Sequence, residues 1–309
     1  PFSQRDEWKD VKGIALDEGK NPVCPINYSH QFQETMDYFR AVLHTDEHSE
    51  RSLQLTRELV QINPASYTAW FFRRKTLITL KSDLNKELEF LSALASRTPK
   101  NYQLWYHRRW VVELLNDASQ ELDFTASILD QDGKNYHAWA HRQWVLSHFK
   151  LWTTELDWLD ATVLVQDRRN NSAWNQRYFV ISSTKNVKDL AVQKQEIAYA
   201  WQWIRKSPNN QSPWSYMGGF IAFDSLDADE FWTKLKQELE AFAAKYITCA
   251  HAHSLLIDFY ERDGSPQALK KAIEFTQLLA TRLAQMHAKY WQWRQLKLEN
   301  QLLLLNKNE

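Results

Sequence analysis

The stretch KNYQLWYHR at residues 100–108 recurs 34 residues later as KNYHAWAHR at residues 134–142. Its tryptophan occurs in five copies, and the first four carry an arginine three residues later. The tryptophans are Trp70, Trp105, Trp139, Trp174 and Trp214, and the arginines are Arg73, Arg108, Arg142 and Arg177. A period of roughly 35 residues is typical of two helices joined by turns, which bury an apolar face only by stacking on the next pair. The sequence therefore predicts an all-α fold, a right-handed α-α superhelix (solenoid) of about seven helical pairs forming a crescent.

Composition narrows the class of protein further. The 309 residues include 38 basic and 38 acidic side chains, and a net charge of zero argues against a general binder of nucleic acid or of membrane surfaces. No apolar run approaches the roughly 18 residues that span a bilayer. The only cysteines, Cys24 and Cys249, lack CxxC spacing, which excludes a zinc site built from this chain's thiolates and favours a cytoplasmic location. We therefore expect no metal bound by this chain alone.

The chain is expected to have two parts. Residues 1–30 contain Pro1, Pro22 and Pro25 and little periodicity, which predicts an extended N-terminal arm laid over another surface. Residues 31–309 are predicted to form a single helical-repeat domain, clearest at 63–215, whose first helical pair lacks the tryptophan. Within this domain, the motif Asp117-x-x-Gln120 resembles a capping box at the start of a helix.

Comparison of the copies separates structural from functional candidates. Because the tryptophans and arginines recur, we interpret them as structural: the indole fills the core between repeats, and the guanidinium pairs with a neighbouring helix end. The pairs His44/His48 and His137/His141 have the i, i+4 spacing of a helical metal site, and residues 44–48 match HxxEH. No separate third ligand is evident, so surface histidines are the preferred interpretation.

The turn before each tryptophan differs between copies and is therefore informative. Asparagine in three of these turns predicts a helix N-cap. Equivalent helices of a solenoid point the same way, so the variable turn residues should line up along one edge; they are Tyr67, Lys100, Tyr102, Gln103, Lys134, Tyr136 and His137. Helix N-termini favour anions, which makes this edge a candidate site for a phosphate or a carboxylate. The spacing alone does not decide between such a site and a solvated turn with exposed lysines.

Several blocks around these turns resemble the α subunit shared by protein farnesyltransferase and protein geranylgeranyltransferase type I. They are PFSQR (1–5), DYFRAVL (37–43), KNYQLW (100–105), KNYHAW (134–139) and RNNSAWNQRYFVIS (169–182). The resemblance is strong to about Trp214 and weaker beyond it.

This resemblance implies half of an enzyme. In that family the α subunit is a crescent of helical pairs around a β subunit, which carries the catalytic zinc and most of the isoprenoid pocket. The heterodimer transfers a farnesyl or geranylgeranyl group to the cysteine of a C-terminal CaaX sequence, as the zinc-bound thiolate attacks and diphosphate leaves. The implied partners are the β subunit, an isoprenoid diphosphate with Mg²⁺, and CaaX-ending proteins such as Ras-like and Rho-like GTPases. The chain alone is expected to be inactive.

The resemblance also implies roles for the turn residues nearest the diphosphate. Lys100 matches the lysine that reaches the diphosphate end of the isoprenoid, and it is the catalytic candidate, with Tyr102 beside it. Asn135, Tyr136 and His137 match the neighbouring ridge, where the tyrosine and the histidine lie near the leaving group. Donors placed where charge develops lower the barrier to its departure.

Two further turn residues are implied to contact the peptide. Gln103 matches the glutamine whose amide binds the terminal carboxylate of the CaaX peptide, and Tyr67 is expected to line the same cavity. Two alternatives stay open. The α subunit of the Rab-specific geranylgeranyltransferase has a similar repeat, although the N-terminal block and the lysine and glutamine turns favour the CaaX enzymes. A non-catalytic scaffold like the tetratricopeptide proteins has a similar period, but its signature glycine, alanine and proline positions are absent here.

Overall fold

The computed structural model describes residues 1–21, 23–24, 26–221 and 230–308, and helices dominate it. The helices are α1 (His30–Thr45), α2 (Glu50–Ile62), α3 (Tyr67–Thr79), α4 (Leu84–Ala95), α5 (Tyr102–Leu115), α6 (Glu121–Gln131), α7 (Tyr136–Phe149), α8 (Glu155–Trp158, a π turn at Leu159–Val163, and Leu164–Gln166), α9 (Asn171–Thr184), α10 (Leu190–Lys206), α11 (Gln211–Ile221), α12 (Glu230–Lys245), α13 (Ala250–Asp263), α14 (Pro266–Leu278) and α15 (Ala288–Asn308). A second π turn, Leu279–Leu283, and a 3₁₀ turn, Gln285–His287, follow α14. No β-strand occurs in these described ranges, and the all-α prediction is confirmed.

The chain divides into two compact units, residues 1–151 and residues 152–309. In the first unit each tryptophan-bearing helix packs closely against the helix before it: α3 on α2, α5 on α4 and α7 on α6. The helices α3, α5 and α7 also lie side by side. The sequence interpretation paired α5 with the following helix instead, because a period by itself does not fix where a repeat begins.

The second unit continues the same pattern. Helix α11 packs on α10 and also contacts α9 and α13, and α13, α14 and α15 pack in succession. The two π turns each place one extra residue in a helical turn, so the helical register changes within α8 and directly after α14.

Each tryptophan of the repeat is fixed by its own connector. The indole N–H donates to the backbone carbonyl six residues earlier in all five copies. The acceptors are Pro64 for Trp70 (2.8 Å), Pro99 for Trp105 (2.8 Å), Gly133 for Trp139 (3.0 Å), Arg168 for Trp174 (3.1 Å) and Pro208 for Trp214 (2.8 Å). The ring is buried while its polar atom is satisfied, which confirms the structural interpretation of this residue.

The arginine three residues after the tryptophan pairs with a glutamate of the following helix. Three such pairs are Arg73 with Glu87 (2.5 Å), Arg108 with Glu121 (2.6 Å) and Arg177 with Glu196 (2.9 Å). Glu87 and Glu121 lie in the first turns of α4 and α6, where a carboxylate also favours the helix dipole. The predicted pairing of each guanidinium with a neighbouring helix end is therefore confirmed for these two copies.

The same glutamates bind the next repeat. We call Glu87, Glu121, Glu155 and Glu196 the clamp glutamates, because each is contacted by the residue two positions after the following tryptophan. The contacts are His107 to Glu87 (2.9 Å), His141 to Glu121 (2.7 Å), Gln176 to Glu155 (2.8 Å) and Tyr216 to Glu196 (2.6 Å). A buried acid thus joins one repeat to the next in both units.

Burial and charge act in opposite directions on these groups. Burial works to raise the pKa of Glu87, but Arg73 and His107 outweigh it and lower that pKa to about 2. Burial lowers the pKa of His107 and of His141 even though each faces a glutamate, so both histidines are neutral in the folded chain at pH 7. The ring of His141 is buried between repeats, where the helical pattern places this residue in a packed position, so the general interpretation of the histidine pairs as surface residues does not hold for it.

The N-terminal residues lie on the first two helices. Two 3₁₀ turns, Phe2–Gln4 and Asp6–Trp8, bury Phe2 and Trp8 against Tyr38, with ring centroids 5.4 Å away in each case. Arg5 makes a two-point contact with Glu58 of α2 at 2.8 and 2.9 Å. Of the prolines that suggested an extended arm, Pro22 and Pro25 lie outside the described residues.

Side-chain caps begin most of the repeat helices. The predicted asparagine caps are confirmed: Asn101, Asn135 and Asn170 accept hydrogen bonds from backbone N–H groups of α5, α7 and α9. The predicted capping box at Asp117-x-x-Gln120 is wrong. Asp117 accepts from the N–H of Ser119 two residues on, and Gln120 makes no side-chain cap bond because α6 begins only at Glu121.

Candidate functional site

Exposed tyrosines occupy the same position in three neighbouring helices. Tyr67, Tyr102 and Tyr136 are the first residues of α3, α5 and α7 and are 72%, 69% and 69% exposed. Because these helices lie side by side, the three phenols follow one edge of the first unit. We call this edge, with Lys100, Gln103, Lys134 and His137, the turn edge. A row of large aromatic side chains with this much exposure is unusual on a surface that meets only water.

His137 lies at the centre of the turn edge. Its ring meets that of Tyr102 edge-on with centroids 4.3 Å apart and is nearly parallel to that of Trp105 at 6.3 Å. Burial lowers the pKa of His137, and a hydrogen bond to the backbone of Lys100 opposes this effect only in part. The ring is therefore a neutral imidazole at pH 7, and its single N–H is the donor of that hydrogen bond.

Lys100 supplies a positive charge on the turn edge and interacts with the connector that leads into α7. Its side chain is 74% exposed, and its Nζ lies 3.1 Å from Oδ2 of Asp132 in the next connector. The hydrogen bond from Lys100 holds the pKa of Asp132 below its usual range, and a bond from the backbone N–H of Lys134 adds to this. Sequence reasoning missed Asp132, although the sequence contains a signal for it. Asp132 is the first residue of its connector, and the residue one period earlier is Thr98, so the acid is not shared by the two copies.

Asn135 is placed differently from the other predicted site residues. Its side chain is buried, its Oδ1 accepts from the N–H of Ala138 at 3.0 Å, and its Nδ2 donates to the carbonyl of Pro99 at 3.2 Å. Both ends of the amide are therefore used within the protein. Asn135 ties the start of α7 to the residue just before Lys100 and so sets the spacing of two ridges of the turn edge.

Gln103 follows Tyr102 as the second residue of α5 and is half-buried. Its amide makes no hydrogen bond within the described ranges, so both its donors and its acceptor are open to a ligand. The structure therefore brings six of the seven predicted site residues to one surface with their polar groups accessible, and it places the seventh, Asn135, beneath them.

The second unit has a pocket at equivalent helix starts. A pocket of 660 Å³ lies where α9 and α11 begin, and Arg169, Asn171, Asn209 and Gln211 are among its lining residues. These are the positions that hold lysine and tyrosine at the turn edge. Sequence reasoning assigned no role to them, since asparagine and glutamine there look like ordinary turn residues.

Two side chains of types that could bind a metal, Cys249 and His48, are engaged in packing. The Sγ of Cys249 lies 3.2 Å from the carbonyl of Pro208, and burial raises the pKa of this thiol. His48 hydrogen-bonds Thr76 at 2.9 Å and stacks on Phe72. No group of three histidine, cysteine or acidic side chains that could bind a metal is found in the described ranges. None of the described helices combines the length and the apolar character needed to cross a membrane.

Comparison with known proteins gives a consistent assignment. The model of the protein prenyltransferase alpha subunit repeat matches residues 49–80, 84–115, 118–149, 152–184 and 194–223, which are the pairs α2–α3, α4–α5, α6–α7, α8–α9 and α10–α11. The protein farnesyltransferase/geranylgeranyltransferase type-1 subunit alpha of Dictyostelium discoideum is 39% identical over 99% of this chain and 97% of its own length. The corresponding subunit of Solanum lycopersicum is 42% identical over 98% and 92%.

A solved structure shares the fold over nearly the whole chain. It is that of Candida albicans protein geranylgeranyltransferase-I complexed with GGPP, with a TM-score of 0.84 and 26% identity over 96% of this chain and 99% of the matched chain. The repeat model covers more than half of the residues, and each matched segment contains two consecutive helices of the structure. This chain belongs to the protein prenyltransferase alpha subunit family.

Proposed function

We propose that this chain is the α subunit of a heterodimeric CaaX protein prenyltransferase. With a β subunit it transfers a farnesyl or geranylgeranyl group from an isoprenoid diphosphate to the cysteine thiol of a C-terminal CaaX sequence. The observation that carries this proposal is the turn edge, where an exposed ammonium, three phenols and a neutral imidazole gather at three helix N-termini of a family member.

The proposed chemistry gives the turn edge a defined task. As the thiolate sulphur bonds to the first carbon of the isoprenoid, the carbon–oxygen bond breaks and the diphosphate leaves with the electron pair. Negative charge grows on the diphosphate, so a fixed cation and fixed donors stabilise the transition state more than the ground state. Lys100 supplies the cation, and the phenols of Tyr102 and Tyr136 supply donors around it. The ring of His137 packs edge-on against Tyr102 and helps to place its phenol. Asn135 holds their spacing.

Recognition of the peptide end is proposed for Gln103. A carboxylate at the end of a chain needs donors that replace its water, and the open amide of Gln103 offers them. The phenol of Tyr67, one ridge away, extends the surface on which the last residues of the peptide would lie.

The metals of the reaction are assigned outside this chain. The described histidines, cysteines and acids do not fit a zinc site, because they are engaged in packing or lie apart. We assign zinc, which would activate the cysteine thiol, to the β subunit, and Mg²⁺ to the diphosphate. Because we assign the thiol-activating metal to the β subunit, we expect the α subunit alone to be inactive.

The test is single-turnover transfer by the heterodimer. This chain is co-expressed with a candidate farnesyltransferase β subunit, and transfer of labelled farnesyl diphosphate to a CaaX peptide is followed for wild type, Lys100→Ala and Gln103→Ala, with each subunit alone as a control. Loss of Lys100 should slow the chemical step by roughly a hundredfold or more with little change in isoprenoid affinity. Loss of Gln103 should weaken peptide binding and leave isoprenoid binding intact.

The same assay separates the alternatives. A Lys100→Ala heterodimer with the wild-type rate would remove the turn edge from the mechanism. Transfer to Rab proteins but not to CaaX peptides would instead favour the Rab-specific enzyme. A chain that binds peptides, associates with no β subunit and supports no transfer would favour a scaffold of the tetratricopeptide type.

A further inference from the structure

We infer that Asp132 is a positioning residue for Lys100, and that it orients the ammonium toward the departing diphosphate. This inference rests on the proposed function and extends it to a residue outside the candidate set. Oδ2 of Asp132 lies 3.1 Å from Nζ of Lys100, and the two residues belong to connectors of adjacent repeats. The pair therefore links the α5 ridge of the turn edge to the α7 ridge.

The carboxylate itself is fixed at both oxygens. While Oδ2 meets the ammonium, Oδ1 accepts a hydrogen bond from the backbone N–H of Lys134 at 3.1 Å. The backbone of Asp132 is also held, since its carbonyl accepts from the N–H of Asn135 at 2.9 Å. A rigid acid thus faces a long, exposed side chain whose four-carbon stem would otherwise sample many rotamers.

The ammonium retains capacity for a ligand while it is held. A lysine has three N–H donors, of which Asp132 uses one, so two remain for diphosphate oxygens. An exposed ion pair of this kind is weak, and it does not withhold the charge from a more highly charged anion. The negative charge of Asp132 also opposes the ground-state diphosphate. Replacement of Asp132 should therefore slow the chemical step, because the ammonium loses its orientation, while loss of the opposing charge leaves isoprenoid binding intact or tighter.

The repeat supplies a matched control. Asp167 occupies the equivalent connector position and accepts from the backbone N–H of Arg169 at 2.8 Å, the same turn bond that Asp132 makes. Within the described ranges Asp167 has no ion pair with a lysine. Asparagine can keep this turn bond at either position, because its side-chain oxygen accepts equally well. Asp132→Asn and Asp167→Asn therefore differ only in whether a paired ammonium is lost.

The experiment uses the heterodimer with the candidate β subunit. Single-turnover rates and farnesyl diphosphate dissociation constants are measured for wild type, Asp132→Asn, Asp167→Asn, Lys100→Ala and the Lys100→Ala/Asp132→Asn double variant. Asp132→Asn should slow the chemical step by about fivefold, with an isoprenoid affinity equal to or tighter than that of wild type. Asp167→Asn should match wild type, and the double variant should be no slower than Lys100→Ala alone.

Each other outcome overturns the inference. An Asp132→Asn rate within about twofold of wild type would show that the ion pair has no catalytic effect. A further loss of rate in the Lys100→Ala background, or failure of Asp132→Asn to assemble while Asp167→Asn assembles, would show that Asp132 serves the fold. If Lys100→Ala has the wild-type rate, the proposed function itself fails, and this result is distinct from the others.

Discussion

At the scale of single residues, the strongest constraint is the ion pair between Arg108 and Glu121, each of whose side chains is only 1% exposed. Glu121 also meets His141, so one carboxylate compensates two buried polar groups from different repeats. Neither the acid nor its second partner could be predicted from the period alone, since Glu87 and Glu121 look like ordinary first-turn glutamates of a helix. The tryptophan and the arginine were predictable because the first recurs in all five copies and the second in four of them.

Removal of this acid should be costly. Glu121→Ala leaves a buried guanidinium and a buried imidazole without their acceptor, and we expect the free energy of unfolding to fall by about 3–5 kcal/mol. The measurement is urea denaturation of the purified chain. The matched control is Glu113→Ala, which removes an exposed partner of Arg109 on α5 and should cost less than about 1 kcal/mol. Equal costs for the two variants would contradict the role of the clamp glutamates.

At the scale of helices, the connectors decide both how each helix begins and what it displays. The helical spacing of apolar residues located the helices, and asparagine before a helix predicted its cap. The sequence did not reveal that the Nδ2 of Asn135 donates to the carbonyl of Pro99, because that contact spans a whole repeat. The candidate site was predictable only through the resemblance, since spacing alone left a solvated turn open. The contact between Asp132 and Lys100 could not be predicted from the sequence, because it joins connectors of different repeats.

Two caps of the same chemistry therefore have different consequences. Asn135→Ala loses a cap and the bond to Pro99, whereas Asn101→Ala loses a cap alone. We expect a loss of about 1 kcal/mol for Asn101→Ala and about 2 kcal/mol for Asn135→Ala. Thermal and urea unfolding of both variants measure the difference. A cost for Asn135→Ala no greater than that for Asn101→Ala would show that the contact between repeats adds no stability.

At the scale of the whole molecule, the clamp glutamates and their histidines predict how stability depends on pH. Burial lowers the pKa of His107 and of His141, so the unfolded chain takes up protons below about pH 6.5 that the folded chain does not. Arg73 and His107 together overcome burial and lower the pKa of Glu87 to about 2, whereas an unfolded glutamate is protonated near pH 4.3. Both effects stabilise the fold at neutral pH and are lost as the pH falls.

The free energy of unfolding should therefore decrease from about pH 7 to pH 5 through the histidines, and decrease again from about pH 4.3 toward pH 2 through the glutamates. Urea denaturation across this range provides the measurement. A His107→Gln, His141→Gln variant should lose much of the upper part of the dependence and keep the lower part; burial also lowers the pKa of His137 and of His251, which account for the rest. A stability that is constant or rises as the pH falls from about 7 to 5 would contradict this assignment.

The clamps also bear on how such a chain changes its length in evolution. Three kinds of side chain make the contact between repeats, since imidazoles, an amide and a phenol each contact a clamp glutamate at the equivalent position. Because a clamp glutamate can pair with any of these side chains, a duplicated repeat could be inserted beside it without a compensating change in the neighbouring repeat. Selection can then act on the connectors of individual repeats, so that copies of one ancestral repeat diverge in their connectors while the clamp glutamates between them are kept.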